Sequence, residues 1–477
     1  MNYRMIAHTL GWLLLFEGAF LLVPIIASVA FADGALLAFL WSMAACLAAS
    51  ALLLLVRPKS TDLRARDGFV IVSLSWIFLS IFGALPFLVS GVIPSFVDAL
   101  FETASGFTTT GSSILADVEA LPKSMLIWRA FTHWVGGMGV LVFLMAFLPL
   151  SGGRNMHIMK AESPGPAVSK LVPRVRTTAL LLYSIYFVMT LIQFIILLCG
   201  GMTVFEALCT SLAVAGTGGF SFYNSGMASF SPFLQVTISI FMLLFSINFE
   251  SYFLLLRRKW KDAFTTEVRV FLLIVASAIG IITVSIYTTY GSLADSLRHA
   301  LFTVSSLMST TGFTTVDYDL WPQLARMTLL MLFFIGACAG STGGGVKVSR
   351  IIILFKGIGR ELRNAIHPKQ VKKITVDGKP VEESTVSSVF AFMVCYVIIF
   401  AISVLILSLD GQDFMTNFSA VGTAVGNIGP GFNAVGPTRN FAFFSPLSKL
   451  VLIFDMLAGR LELFPLLLLF SPSTWKK

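Results

Sequence analysis

Charged side chains are scarce in this sequence. Of its 477 residues, 12% are Asp, Glu, Lys or Arg, about half of the ~25% usual in a soluble domain. With 56% hydrophobic residues and a mean hydropathy of +0.88, the shortage excludes an ordinary soluble domain and leaves a chain built to sit in lipid. Cysteine is sparse too. Cys46, Cys199, Cys209, Cys338 and Cys395 form no CxxC pair, which excludes a disulfide framework or zinc ribbon and leaves small apolar packing residues. His8, His133, His157, His299 and His367 have no HExxH spacing and no ligand cluster beside them, so they read as loop or helix-end residues rather than metal ligands. No nucleophile–base pair stands out, and the chain does not read as an enzyme. The formal net charge is +9. Its basic residues lie in short segments between apolar runs, which excludes a nucleic-acid partner.

What the sequence has is long apolar runs. They predict spans near residues 8–31, 35–56, 68–91, 124–150, 177–200, 232–256, 269–290, 324–355, 385–409 and 444–470. The first run exceeds the roughly 7–15 residues of a signal-peptide core and contains Glu17, so a retained span is expected. Ten spans put both termini on one side of the membrane. Segments 57–67, 151–176, 257–269 and 356–379 share that side and hold 21 of the 33 Lys and Arg, with Arg4, Lys476 and Lys477 beside them. Basic residues stay cytoplasmic, so these loops and both termini are expected there.

Four inserts between spans are too short and polar to cross, yet too apolar at their start to be plain loops. They are "FVDALFETASGFTTTGSSIL" (96–115), "FEALCTSLAVAGTGGFSFYNSG" (205–226), "ADSLRHALFTVSSLMSTTGFTTVDY" (294–318) and "FMTNFSAVGTAVGNIGPGF" (414–432). Each reads as a half-length helix running into a Gly- and Thr-rich segment. The aligned glycines Gly111, Gly219, Gly312 and Gly429 are separated by 108, 93 and 117 residues, a period that means tandem duplication of one unit. The expected fold is all-α and polytopic. A two-helix N-terminal hairpin (1–57) precedes four parallel span–pore-loop–span repeats (68–150, 177–256, 269–356 and 385–470) around a pseudo-fourfold pore. Every repeat begins on the cytoplasmic side, so the repeats are parallel rather than inverted.

Irregular backbone at membrane depth cannot face lipid, because its N–H and C=O groups would be unsatisfied. Four such segments meeting on an axis can instead turn carbonyls inward, where a ring of them replaces a cation's hydration shell. Each half-helix aims its negative C-terminal end at the centre. Asp98, Glu102, Glu206, Asp295 and Asp413 stand towards the opposite ends and are expected to complement the dipole or cap the helices.

These motifs, four in register, resemble the superfamily of bacterial Trk and Ktr and plant HKT potassium transporters over about residues 68–470. The two extra N-terminal spans and "ACAGSTGGGVKVSRIII" look most like the Trk-type membrane subunit. The resemblance implies a potassium filter made of Thr109-Thr110-Gly111, Thr217-Gly218-Gly219, Thr310-Thr311-Gly312 and Asn427-Ile428-Gly429. Gly218 and Ile428 depart from the threonine of repeats one and three, so side-chain hydroxyls cannot all contribute. "GACAGSTGGGVK" (336–347) lacks the GxxxxGK[ST] spacing of a phosphate-binding loop. Its five glycines at 336–345 instead break a helix. The resemblance implies a gate under the filter here, with Gly340, Gly343, Gly344, Gly345 and Lys347. It also implies a pore-facing arginine at Arg460, for which Asp455 and Glu462 lie off the helical face. "HWVGGMGVL" (133–141) reads as a close helix crossing through small residues.

The sequence therefore reads as a potassium-uptake subunit, with potassium as the bound substrate and no organic cofactor. A sodium-permeable or cation-coupled symporter of the same fold, or a non-conducting membrane scaffold or sensor, are the alternatives. Besides membrane lipid, the resemblance implies two partners: a second copy in a homodimer, and a cytosolic Rossmann-type ring of nucleotide-binding regulators. The basic loops 257–269 and 356–379 are candidates for docking that ring, or for topology and anionic lipid alone.

Overall fold

The computed structural model describes residues 1–58, 64–139, 175–368 and 373–475. The end of the 124–150 span, most of the 151–176 loop with His157, Lys476 and Lys477, and parts of the 57–67 and 356–379 loops lie outside the described residues.

Six of the ten expected spans are continuous apolar stretches of membrane length: Tyr3–Phe31, Leu36–Leu54, Arg66–Val89, Thr177–Cys199, Thr266–Tyr290 and Glu383–Asp410. The first two form the N-terminal hairpin. They cross closely because Gly11 faces Leu54, and the Ser50 hydroxyl donates to the Gly11 carbonyl at 2.7 Å. At the hairpin's turn Asp33 accepts the backbone N–H of Ser124 at 2.8 Å. That bond fixes the hairpin to the start of the helix Lys123–Gly137.

The other four expected spans, 124–150, 232–256, 324–355 and 444–470, do not form single membrane-length helices among the described residues. Within those residues the first ends early and the other three are interrupted. Lys123–Gly137 ends before Gly139, at φ +82°. Pro232–Phe245 and Phe249–Leu256 meet at a 92° bend. Gln323–Leu332 and Val348–Ile366 are separated by an irregular loop, and Pro446–Arg460 and Phe464–Phe470 by Glu462 and Leu463, both at positive φ. All four are the second long helix of a repeat. Hydropathy does not register a break whose polar backbone is satisfied by neighbouring protein rather than by its own helix.

Between the long helices lie four short ones: Phe96–Phe107, Val204–Gly216, Leu293–Met308 and Phe414–Gly426. Each has a side-chain N-cap, from Ser95, Thr203, Ser292 and Asp413. At ~1.5 Å per residue they are too short for the ~30 Å of a bilayer core. They enter and stop.

Candidate functional site

The four short helices end in one way. Thr109, Thr217, Thr310 and Asn427 adopt left-handed conformations, with φ of 56°, 56°, 58° and 51°. The N–H of each bonds to the carbonyl three residues back, and the next N–H to the carbonyl five residues back. This is the Schellman pattern, normally closed by glycine. Two residues on, Gly111, Gly219, Gly312 and Gly429 return to positive φ, at 83°, 72°, 83° and 104°. The residue between them does not. Alternating the sign of φ in this way is a backbone that can turn successive carbonyls to one side.

The four segments close into a ring. A Cβ on Gly111 would overlap the carbonyl oxygen of Gly218, one on Gly219 that of Thr311, and one on Gly312 that of Ile428. One on Gly429 would lie 2.8 Å from that of Thr110. Each repeat thus presses its glycine on the next repeat's backbone, and the fourth returns to the first. All four glycines line a single outer cavity of about 160 Å³.

Behind the ring the supports differ from seam to seam. Asn427 Nδ2 donates to Thr110 Oγ1 at 3.0 Å and to the Met456 carbonyl at 2.9 Å, joining the fourth repeat to the first. Between the first and second stands His133. Its Nε2 accepts from Phe220 N–H at 3.2 Å and its Nδ1 donates to the Gly106 carbonyl at 2.7 Å. The expectation that the histidines sit in loops or at helix ends is therefore wrong for His133, which is fully buried within a helix, and also for His8 and His299, which lie inside helices. Glu102 also departs from its expected role. It is buried in the middle of its helix, paired with Arg129 at 2.8 Å and accepting from Ser113 and Ile114 N–H. Asp98 pairs with Lys449 at 2.6 Å.

On the outer surface, Tyr223 donates to Glu206 at 2.6 Å, and that bond together with burial pushes its phenol up to about 12. Asp319 accepts Asn433 N–H at 2.7 Å, tying repeats three and four, and burial raises its carboxyl above the usual range.

Below the ring lies the loop 333–347. Its apex touches the filter segments directly. Gly344 N–H donates to Thr310 Oγ1 at 2.6 Å, and Gly343 and Gly344 pack against the Ser309 carbonyl, the Gly426 carbonyl and Asn427. Gly340 and Gly345 take φ of +73° and +69°. Lys347, 2% exposed, folds back to donate to the carbonyls of Gly343 and Gly344. The outer flank bonds the kink in repeat two, with Cys338 N–H to the Ser246 carbonyl at 3.0 Å and Phe249 N–H to the Gly340 carbonyl at 3.1 Å.

Arg460 reaches across this level. Its guanidinium donates to the carbonyls of Thr342 at 2.8 Å, Gly136 at 2.6 Å and Gly137 at 2.5 Å. Gly340, Gly343, Gly344, Gly345, Lys347 and Arg460 share a cavity of about 80 Å³. Gly136 and Gly137 also pack on Phe107 and Gly216 as the small-residue reading expects, and their carbonyls anchor the arginine besides. Glu462 pairs with Arg350 rather than Arg460. Asp455 accepts from Ser403 at 2.8 Å.

Sequence reasoning missed His133, the Glu102–Arg129 pair, Arg350–Glu462 and Glu267. The last accepts two backbone N–H groups of the loop region. The available signal was an ionisable residue inside or at the end of an apolar run.

Residues 36–477 match the TrkH family, described as a cation transport protein. The protein named Trk system potassium uptake protein TrkH from Escherichia coli (strain K12) is 36% identical over 488 residues, covering 100% of both chains. Trk system potassium uptake protein TrkG of the same strain is 32% identical over 100% of this chain and 99% of that one. The crystal structure of the potassium transporter TrkH from Vibrio parahaemolyticus matches with a TM-score of 0.90 and 33% identity over 100% of both chains.

Proposed function

The chain belongs to the TrkH family of cation transport proteins, and from that premise we propose that it takes up potassium across the bacterial cytoplasmic membrane through the ring of its four filter segments. One observation carries the reading. Four segments with the same alternating backbone close on one another in cyclic order, and their glycines line one cavity. A packed membrane scaffold has no need of such a ring.

The backbone of Thr109–Gly111, Thr217–Gly219, Thr310–Gly312 and Asn427–Gly429 supplies the carbonyls that receive a dehydrated potassium ion as substrate. Each short helix points its negative end at that place. The loop 333–347 is the barrier beneath, with Gly340, Gly343, Gly344 and Gly345 shaping it and Lys347 bracing it. Arg460 adds a fixed positive charge. We read the chain as the hairpin 1–57 and pore repeats 68–150, 177–256, 269–356 and 385–470, with both termini cytoplasmic. It acts as a homodimer with a cytosolic nucleotide-binding ring.

The test is flux through the purified protein in liposomes. Potassium uptake well above sodium uptake is expected. Equal rates would turn the reading towards a sodium-permeable transporter, and no flux from folded protein, with or without the cytosolic partner, towards a scaffold.

A further inference from the structure

The loop beneath the filter is held at its neck by one carboxylate. Glu267 Oε1 accepts the N–H of Ala339 at 2.8 Å and the N–H of Ser349 at 2.9 Å. The two amides lie on opposite sides of the glycine apex. Ser349 is in the first turn of the helix Val348–Ile366, whose own N-cap, Lys347, makes no side-chain cap bond. An uncapped first turn leaves N–H groups without partners and a partial positive charge. Glu267 supplies the missing cap from another helix, and the same oxygen grips the descending limb of the loop.

The residue beside it faces the other way. Thr266 N–H and Oγ1 both donate to Asp377 Oδ1, at 2.6 and 2.7 Å. Asp377 is in the turn of the small hairpin that pairs Val376 with Lys379, at φ +50°. That hairpin joins the helix Val348–Ile366 to the helix Glu383–Leu407. Lys356 donates to the Thr375 carbonyl at 2.7 Å, so it also packs on the helix that leaves the loop. Asp377, Thr266, Glu267 and the neck of the loop form one hydrogen-bonded line, from an exposed turn to the underside of the filter.

We infer that Glu267 is a positioning residue that latches the loop 333–347 in its blocking place, and that Asp377 tethers the helix end that carries the latch. The inference rests on the reading of the loop as a barrier. Moving the hairpin shifts the N-terminus of Thr266–Tyr290 and with it the carboxylate. Both bonds to the neck then weaken together, because they share one oxygen. A force on the exposed turn thereby reaches the filter without touching it.

The test uses the full-length protein in liposomes and two readouts: potassium flux, and hydrogen–deuterium exchange of peptides across 336–350. Glu267→Ala removes the acceptor, and exchange of the neck amides is expected to rise at least roughly tenfold, as for the loss of a bond to a charged group, with a parallel rise in flux. Glu267→Gln keeps an acceptor oxygen at that place and is expected to stay near the parent in both. A residue that merely stabilises the fold would lower the thermal midpoint and reduce flux. Unchanged protection in Glu267→Ala overturns the latch whatever the flux does. Lost protection with unchanged flux supports the latch and removes the loop as the barrier. Should Glu267→Ala fail to fold, Asp377→Ala on the surface carries the same test: a smaller rise in exchange supports the inference, and unchanged protection overturns it.

Discussion

The imidazole of His133 fills the space that a side chain on Gly218 would need. Repeat two has glycine where repeats one and three have threonine, and the ring of a neighbouring repeat stands there instead. His133 cannot yield, since both nitrogens are engaged, with Gly106 and Phe220.

A double-mutant cycle follows from this overlap. Gly218→Ala is expected to lower thermal stability and the preference for potassium. His133→Ala leaves the Phe220 N–H without its acceptor, at about 1–3 kcal/mol, while the Gly106 carbonyl keeps the Thr109 N–H. The double variant should be no less stable than His133→Ala alone, because the clash has gone. Losses that simply add, measured by thermal unfolding in detergent, would mean that Gly218 is required for another reason.

Gly111 combines a φ of 83° with contact on the Gly218 carbonyl. Serine there must strain its backbone and push the neighbouring oxygen outward. Gly111→Ser is expected to reduce the potassium-to-sodium flux ratio while folded yield is retained. An unchanged ratio at normal yield would take Gly111 out of the filter.

Arg460 is expected to act as a barrier through charge. Its guanidinium donates to the carbonyls of Thr342, Gly136 and Gly137, and a guanidinium stays charged. A passing cation meets that charge where little water screens it. Arg460→Ala should raise potassium flux per folded molecule, and Arg460→Lys should restore part of the barrier, because an ammonium keeps the charge but not the fork of donors. Lower flux in the alanine variant would make the residue a structural tie between the loop and the helix of repeat one.

The Glu102–Arg129 pair lies behind the outer end of the filter, with side chains 0% and 3% exposed. Arg129 also donates to the Ser221 carbonyl at 3.0 Å, bridging repeats one and two. Arg129→Met strands a buried carboxylate and is expected to cost about 3–5 kcal/mol, read as a lower midpoint in thermal or denaturant unfolding. Glu102→Gln, which keeps an acceptor for Ser113 and Ile114, should cost less. An Arg129→Met protein as stable as the parent would show that the pair contributes nothing net.

Much of the candidate site was marked by residue type and spacing. Thr109–Gly111 and its three counterparts were marked by glycine at a regular interval after a short amphipathic stretch, since only glycine fits where the next repeat's carbonyl presses. The loop was marked by five glycines in 336–345, which no stable helix tolerates. Arg460 was marked as a charge in an apolar run. His133 was set aside, Glu102 was assigned another role, and Glu267 drew no notice. Their partners lie 27, 27 and 72 or more residues away in the chain, and no local pattern names a partner at that distance.

Composition and periodicity determined that the chain spans a membrane, that it is helical, and that it repeats one unit four times, because lipid forces backbone bonds to be local and a duplicated unit keeps its pattern. They did not determine where, among the described residues, the second long helices of the repeats end or break, nor which side chains hold those places. A helix stays continuous unless other groups take over its backbone bonds. Whether they do depends on what packs against it, as where the Ser246 and Gly340 carbonyls accept from Cys338 and Phe249 N–H of the facing segment, and only the tertiary structure decides that.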